Sequence, residues 1–278
     1  MSSIRERRLN DHVTLVDVEN AAGRATLSLF GGQVLSFTPA HDGRERLYLS
    51  RLARLDGSKS IRGGIPVCWP WFGAHQQQTG VSAHGYARTR QWQLTDTQES
   101  ATETLLVLEA RNTQGTGFAG TARLQLAVSI GAALQLVLTT TNAGTTAFHL
   151  SMALHSYFAV DDIRTTRLSG LGGRYSDKTR DWAHFDTPRP YGFTEETDRI
   201  HMDAAARVDI MMANGARTQV ASEGHDSIVV WNPWSACARN FPDMEAQDYT
   251  RMLCVETALT QGYELAPGKT HGLAQSIS

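Results

Sequence analysis

The chain has 278 residues, and its 26 Lys and Arg side chains against 28 Asp and Glu give a formal net charge of −2 at pH 7. This balance argues against nucleic acid as the main partner, because binding to a phosphate backbone needs a surplus of basic residues. No stretch of the sequence approaches the ~18 uncharged apolar residues that a membrane-spanning helix requires. We therefore expect a soluble protein without a membrane partner.

Short strands are predicted from the N-terminal region onwards. Residues 1–10 contain several arginines, but no apolar run follows them, so they do not resemble a secretory signal. Later segments alternate apolar and polar residues over short lengths and end at Gly, Asn, Asp or Pro, a pattern typical of β-strands. The predicted strands are 13–18, 25–30, 45–49, 104–109, 227–231 and 251–259.

The segment 61–73, with the sequence IRGGIPVCWPWFG, is dense in Gly, Pro and aromatic residues. Glycines allow a backbone to approach a ligand closely, and aromatic rings can form rigid walls around it. A packed aromatic loop explains the composition equally well. The segment 84–88 (HGYAR) follows, so that Arg62 and Arg88 flank the aromatic residues.

The clearest alternation occupies residues 123–140. Apolar side chains stand at every second position over 124–130 and again over 134–138, with Gly131 between the two runs. This pattern predicts a β-hairpin with a glycine in the first turn position.

His155 lies in the segment 149–158 (HLSMALHSYF). In a strand, alternate side chains share a face, so His155 would lie among small and polar groups, as in a cleft floor. A lone histidine is nevertheless most often a structural group, and the segment alone leaves both interpretations open.

Glu256 lies in an apolar segment, 252–258 (MLCVETA). A carboxylate among such neighbours is costly to bury without a partner. Apolar surroundings also raise the pKa of a carboxyl group and prepare it for proton transfer. We expect the acidic residues of 243–248, by contrast, to lie at the surface.

Common catalytic and metal-binding motifs are absent from the sequence. It contains no GxGxxG loop, no GxSxG nucleophile elbow and no HExxH pair, so neither a nucleotide nor a metal is expected. The three cysteines have no CxxC spacing, which argues against a disulfide scaffold or structural zinc and favours a reduced, cytoplasmic setting. They are Cys68, Cys237 and Cys254.

The pattern as a whole favours an all-β fold. Long helical patterns are almost absent, and the 24 glycines are spread along the chain rather than gathered in a linker. No repeat or low-complexity tract divides the sequence. We therefore expect one antiparallel β domain over residues 1–278, either a sandwich or a barrel.

Seven segments resemble, in order, the hexose-6-phosphate mutarotases (glucose-6-phosphate 1-epimerases) of the aldose 1-epimerase superfamily. Any one motif would be weak, but seven in order across nearly the whole chain are specific. The segments are 61–73, 84–88, 154–158 (LHSYF), 170–177 (GLGGRYSD), 196–200 (ETDRI), 230–234 (VWNPW) and 254–256 (CVE).

The resemblance implies an extended antiparallel β-sandwich of the galactose mutarotase-like type, with the sugar in a cleft over a concave face. It also implies that His155 is the general acid and Glu256 the general base in opening the sugar ring. Neither role needs a cofactor, and the implied partner is a small phosphorylated sugar bound by a monomer.

By the same resemblance, the substrate-binding residues are Arg62, His84, Arg88 and Asp198. The two arginines would hold the 6-phosphate, because a guanidinium can bond two phosphate oxygens at once. Asp198 would hold sugar hydroxyls. Some family members carry Gln immediately before the HG-aromatic-AR motif, where this chain has Ala83; the nearby candidates to replace it are Gln76, Gln77 and Gln78.

Three other functions remain open from the sequence. The first is an aldose 1-epimerase for unphosphorylated sugars, and the second is a non-catalytic carbohydrate-binding module on the same fold. The third is a glycoside hydrolase, which would need two carboxyl groups about 5–9.5 Å apart. Glu256 and Asp198 are the candidates for that pair.

Overall fold

The computed structural model describes residues 3–278, which form mainly β-strands. Within this range the helical segments are short: α1 (Trp234–Ala238) and three 3-10 turns at Ala87–Thr89, Lys178–Arg180 and Asp248–Arg251. No helix among these residues has the length and apolar character needed to cross a bilayer. The strands are β1 (Ser3–Arg8), β2 (Thr14–Asn20), β3 (Gly23–Ser28), β4 (Gln33–Pro39), β5 (Val67–Cys68), β6 (Trp92–Glu99), β7 (Thr104–Ala110), β8 (Ala122–Ile130), β9 (Leu134–Asn142), β10 (Phe148–Leu154), β11 (Tyr157–Ala159), β12 (Arg167–Ser169), β13 (Arg174–Asp177), β14 (Ala183–Asp186), β15 (Thr197–His201), β16 (Arg207–Met211), β17 (Arg217–Glu223), β18 (Ser227–Asn232), β19 (Met252–Leu265) and β20 (Thr270–Ile277).

The strands build three antiparallel sheets. A four-stranded sheet has the order β1-β2-β3-β4. One eight-stranded sheet has the order β14-β13-β15-β18-β19-β10-β5, with β11 also paired to β19, and we call it the site sheet. The other has the order β12-β16-β17-β20-β9-β8-β7-β6. Together they confirm the predicted all-β, sandwich-type architecture.

One hydrophobic core joins the three sheets. Val16 of the four-stranded sheet, Leu126 of the second large sheet and Val255 of the site sheet belong to the same buried cluster. Each fully buried side chain of this size contributes roughly 1.5–3 kcal/mol to the free energy of unfolding. The core therefore packs the three sheets against one another.

The predicted hairpin is confirmed by β8 and β9. Ile130 pairs with Leu134 across a three-residue loop at 131–133, and the alternating leucines of both strands point into the core. A predicted strand at 45–49 is wrong, since only isolated bridges form there, such as Leu47 with Phe158. The Glu45 carboxylate accepts the backbone N–H groups of both Phe37 and Leu47, and so replaces ladder bonds that a strand would make.

Register in the site sheet places two carboxylates on one face. Ile200 of β15 is paired with Val229 of β18, and Val229 is paired with Glu256 of β19. Asp198 lies two residues before Ile200, so its side chain points to the same side as Glu256.

His155 lies in the break between β10 and β11. Leu154, at the end of β10, pairs with Thr257, and Tyr157, at the start of β11, pairs with Cys254. Because both short strands pair with β19, the break brings His155 beside the part of β19 that carries Glu256.

Candidate active site

A cavity of about 270 Å³ opens over this face of the site sheet. Its volume is close to the lower limit of the ~300–1,000 Å³ that is usual for small-ligand sites. The structure brings every site residue suggested by the sequence into its lining, namely Arg62, His84, Arg88, His155, Asp198 and Glu256. It adds Lys178, Tyr157, Trp231 and Phe241, which the sequence analysis did not assign.

His155 and Glu256 approach each other at the bottom of this cavity. His155 Nδ1 lies 3.4 Å from Glu256 Oε1, and the two residues are 8% and 1% exposed. The imidazole stacks on the ring of Tyr157, with ring centroids 4.9 Å apart and planes at 10°. Among residues 3–278, neither His155 Nδ1 nor Glu256 Oε2 has a hydrogen-bond partner. Both atoms are also shielded from solvent.

Burial shifts the two pKa values toward the uncharged forms. Desolvation raises the pKa of Glu256 well above its ordinary value, an effect that Lys178 and Arg88 oppose. Desolvation also lowers the pKa of His155 well below its ordinary value, and His84 and the arginines lower it further. Because the two groups lie 3.4 Å apart, the protonation of one affects the pKa of the other.

The Arg62 side chain is held in place on one side of the cavity. Its Nη1 donates to Tyr157 Oη at 3.1 Å, and its Nε donates to Asp243 Oδ1 at 3.2 Å. The guanidinium also lies over the Phe241 ring, 4.5 Å from the centroid. In the described part of the chain, Nη2 has no hydrogen-bond partner, which leaves a fixed donor for a ligand.

The partner of Arg62 corrects one expectation from the sequence. Residues 243–248 were expected at the surface, but Asp243 and Asp248 are buried. Each carboxylate has a donor that compensates its burial, Arg62 for Asp243 and the Tyr48 hydroxyl for Asp248. Sequence alone does not show these pairs, because nearly two hundred residues separate the partners.

His84 and Arg88 lie on a tight loop that also lines the cavity. Arg88 Nη2 donates to the Ala83 carbonyl at 2.9 Å. Burial, together with the nearby cations, lowers the pKa of His84 to about 3, so its ring is neutral at pH 7. His84 Nδ1 accepts the backbone N–H of Gly73 at 3.3 Å. The ring proton is thereby assigned to Nε2, which becomes a donor.

The three glutamines considered as replacements at Ala83 lie elsewhere. They line a neighbouring groove of about 710 Å³ that shares Phe72 with the cavity. The structure therefore does not bring them to His155 and Glu256. These residues are Gln76, Gln77 and Gln78.

Asp198 forms an ion pair inside the cavity. Its Oδ1 lies 3.1 Å from Lys178 Nζ, and the two side chains are 23% and 21% exposed. Burial raises the pKa of Asp198, and Lys178 counteracts that rise. Lys178 directly follows the motif at 170–177, which is the signal by which the sequence could have indicated it.

The donor set suits proton transfer better than a metal ion. His155 Nδ1, Cys254 Sγ and a Glu256 oxygen all lie within 4.8 Å of one another. A metal would need Cys254 as a thiolate, but burial raises the pKa of this thiol well above its ordinary value. Arg62 and Arg88 also place positive charge nearby.

Comparison with known proteins points to one family. A family model described as aldose 1-epimerase matches residues 14–278. A relative from Escherichia coli (strain K12), provisionally named glucose-6-phosphate 1-epimerase, is 33% identical over 100% of this chain and 94% of its own length. A relative of the same provisional name from Cenchrus ciliaris is 32% identical over 88% of this chain and 78% of its own.

A solved structure shows the same fold. The crystal structure of a provisionally named mutarotase from Salmonella typhimurium superposes with a TM-score of 0.91 at 30% identity. The match covers 99% of this chain and 92% of that one. These findings confirm the resemblance seen in the seven motifs and the predicted isomerase class. The chain belongs to the aldose 1-epimerase family.

Proposed function

We propose that the protein interconverts the α and β anomers of glucose 6-phosphate and similar aldohexose 6-phosphates. The observation that carries this proposal is the approach of His155 to Glu256 in a cavity that Arg62 and Arg88 also line. The pair supplies acid and base, and the arginines supply donors for a phosphate. The provisional names of the relatives agree with this substrate.

The reaction needs one proton to move through the sugar. Glu256 takes the proton from the anomeric hydroxyl while His155 protonates the ring oxygen, and the bond between C1 and that oxygen breaks. The open-chain aldehyde then rotates about its C1–C2 bond. On closure the roles reverse, because His155 takes back the proton and Glu256 returns one to the new hydroxyl on C1.

The pair is suited to this exchange because one group donates a proton to the sugar while the other accepts one from it. Each group acting as acid or base contributes about 10²–10⁴-fold to the rate. A doubly negative phosphate entering the cavity would favour protonated His155, the acid with which ring opening starts. Substrate binding and the required proton distribution are thus linked.

Arg62 and Arg88 are the proposed phosphate-binding residues, with His84 and Asp198 contacting the sugar. Each charge-assisted hydrogen bond from a guanidinium is worth about 1.5–3 kcal/mol. Arg62 already shares its charge with Asp243, so we expect Arg88 to provide much of the positive charge. An epimerase for unphosphorylated sugars would not need either interaction.

Substrate preference tests the proposal. We expect Arg88→Met, and more strongly the Arg62→Met/Arg88→Met double variant, to lower kcat/KM for glucose 6-phosphate at least about tenfold. The residual activity on glucose should change little, and Arg164→Met, an exposed substitution, should change neither. Anomer exchange measured by NMR gives both rates, and thermal melting checks the fold. Equal losses on the two sugars would contradict phosphate recognition by these arginines.

A further inference from the structure

Lys178 reaches the cavity from a well-anchored turn. It is the first residue of the 3-10 turn that joins β13 to β14. Asp177, buried directly before it, accepts the Thr179 backbone N–H at 3.0 Å and also bonds Arg199. The turn is therefore fixed by neighbours that do not line the cavity, and it presents Lys178 in one direction.

The Lys178 ammonium is held over aromatic rings. Its Nζ lies 5.5 Å from the Phe72 ring centroid and 5.6 Å from that of Trp182, within the range of cation–π attraction. It also lies 3.1 Å from Asp198 Oδ1. The chain contains three lysines, and Lys178 is the one that enters the cavity.

Two carboxylates on one face of the site sheet repel each other, and the positive charge of Lys178 offsets this repulsion. Asp198 and Glu256 point to the same side, with Glu256 almost fully buried and Asp198 half-buried. Like charges in such a place drive one group to take up a proton. A protonated Glu256 cannot accept the proton of the anomeric hydroxyl, so the ring would not open.

We propose that Lys178 is a positioning residue that favours the ionised, basic form of Glu256 and holds the Asp198 carboxylate ready for sugar hydroxyls. This inference rests on the proposed function and adds a further residue to it. The charged groups around Glu256 are Lys178 from the turn, Asp198 from β15, Arg88 from its own 3-10 turn and His155 from the break between β10 and β11.

The division of charge in the cavity supports this assignment. Arg62 bonds Tyr157 and Asp243, on the side of the cavity where His155 stacks on Tyr157. Lys178 pairs with Asp198, and among the neighbouring cations it has the largest effect in lowering the pKa of Glu256. Removing Lys178 should therefore affect the base more than the acid.

The first test is the pH profile of kcat/KM for glucose 6-phosphate. In Lys178→Met, which retains an apolar stem against the rings, we expect a loss of at least about tenfold at pH 7. The acidic limb should move to higher pH by about one unit, since the pKa of Glu256 is higher without the positive charge of Lys178. Lys178→Arg should restore the limb, and Lys269→Met, at an exposed position, should match the wild type. An unmoved acidic limb in Lys178→Met would overturn the proposal.

The second test does not depend on activity. The infrared carboxylic-acid band that disappears in Glu256→Gln reports protonated Glu256 directly. Its pH midpoint should be higher in Lys178→Met than in the wild type; equal midpoints would refute the role of Lys178. If the wild-type protein does not exchange the anomers of glucose 6-phosphate, the proposed function fails, while this band still decides the role of Lys178.

Discussion

Glu256 is ionisable and almost fully buried, and this combination should lower the free energy of unfolding at neutral pH. Its folded-state pKa is raised well above 4.5, so the folded protein binds this proton more tightly than the unfolded chain does. Below 4.5 both states are protonated and there is no penalty. As the pH rises from 4.5 to the folded-state pKa, the penalty grows by about 1.4 kcal/mol per unit.

We therefore expect Glu256→Gln to be more stable than the wild type at neutral pH, because it removes an ionisable group that burial disfavours. The stability difference should increase as the pH rises from about 4.5, and denaturant unfolding at several pH values measures it. Glu264→Gln, an exposed substitution on the same strand, is the matched control. A Glu256→Gln variant that is less stable than the wild type at every pH would show that the carboxylate makes stabilising bonds.

The residues of the cavity were predictable from the sequence where a motif contained them. His155 and Glu256 stood out by their neighbours, and the family resemblance added Arg62 and Arg88. Lys178 was missed because its significance depends on Asp198, twenty residues away along the chain and brought close by the pairing of β13 with β15.

At the level of elements, the loop that carries His84 and Arg88 depends on one glycine. Gly85 has a φ of 65°, and its backbone forms a parallel bridge with Trp69. A Cβ at Gly85 would lie 2.0 Å from the Trp69 carbonyl oxygen, so any other residue must displace backbone. The glycine thus allows the two loops that line the cavity to touch.

We expect Gly85→Ala to be destabilising by more than the roughly 1–3 kcal/mol that a left-handed conformation alone costs. It should also weaken glucose 6-phosphate binding, since both His84 and Arg88 would move. Gly73→Ala is the control, because its φ is 72° but nothing lies within 4 Å of an added Cβ. Chemical denaturation and KM measure the two effects, and equal results for the two variants would contradict the close-contact argument.

Elements were predictable where hydrophobic alternation is local, as in the hairpin of β8 and β9. The strand predicted at 45–49 does not form, because the Glu45 side chain accepts hydrogen bonds from backbone N–H groups that a strand would pair. A pattern of apolar residues contains no information about such hydrogen bonds between a side chain and the backbone.

For the molecule as a whole, we propose that the three sheets form one cooperative unit. The sequence pattern predicts a single domain over residues 1–278, and this proposal follows from that expectation. Residues 1 and 2 lie outside the described range. The largest buried cluster contains side chains from all three sheets, so the main core is shared among them. Calorimetry should show a single transition whose calorimetric and van't Hoff enthalpies agree. Two separated transitions would indicate independent units.

The antiparallel all-β class could be predicted from the alternation and the dispersed glycines. The order of strands in the site sheet could not, because β5, β10, β19 and β18 come from distant parts of the chain. That order gathers His155, Glu256 and three cationic side chains into one cavity.

The most direct test of the account is magnetisation exchange between the α and β anomeric protons of glucose 6-phosphate. We expect the wild-type protein to accelerate the exchange, and His155→Ala and Glu256→Gln each to reduce kcat by about 10²–10⁴-fold while remaining folded. His271→Ala and Glu264→Gln should behave as the wild type. Full exchange rates in His155→Ala or Glu256→Gln, or no acceleration by the wild-type protein, would contradict the assignment of this pair as acid and base.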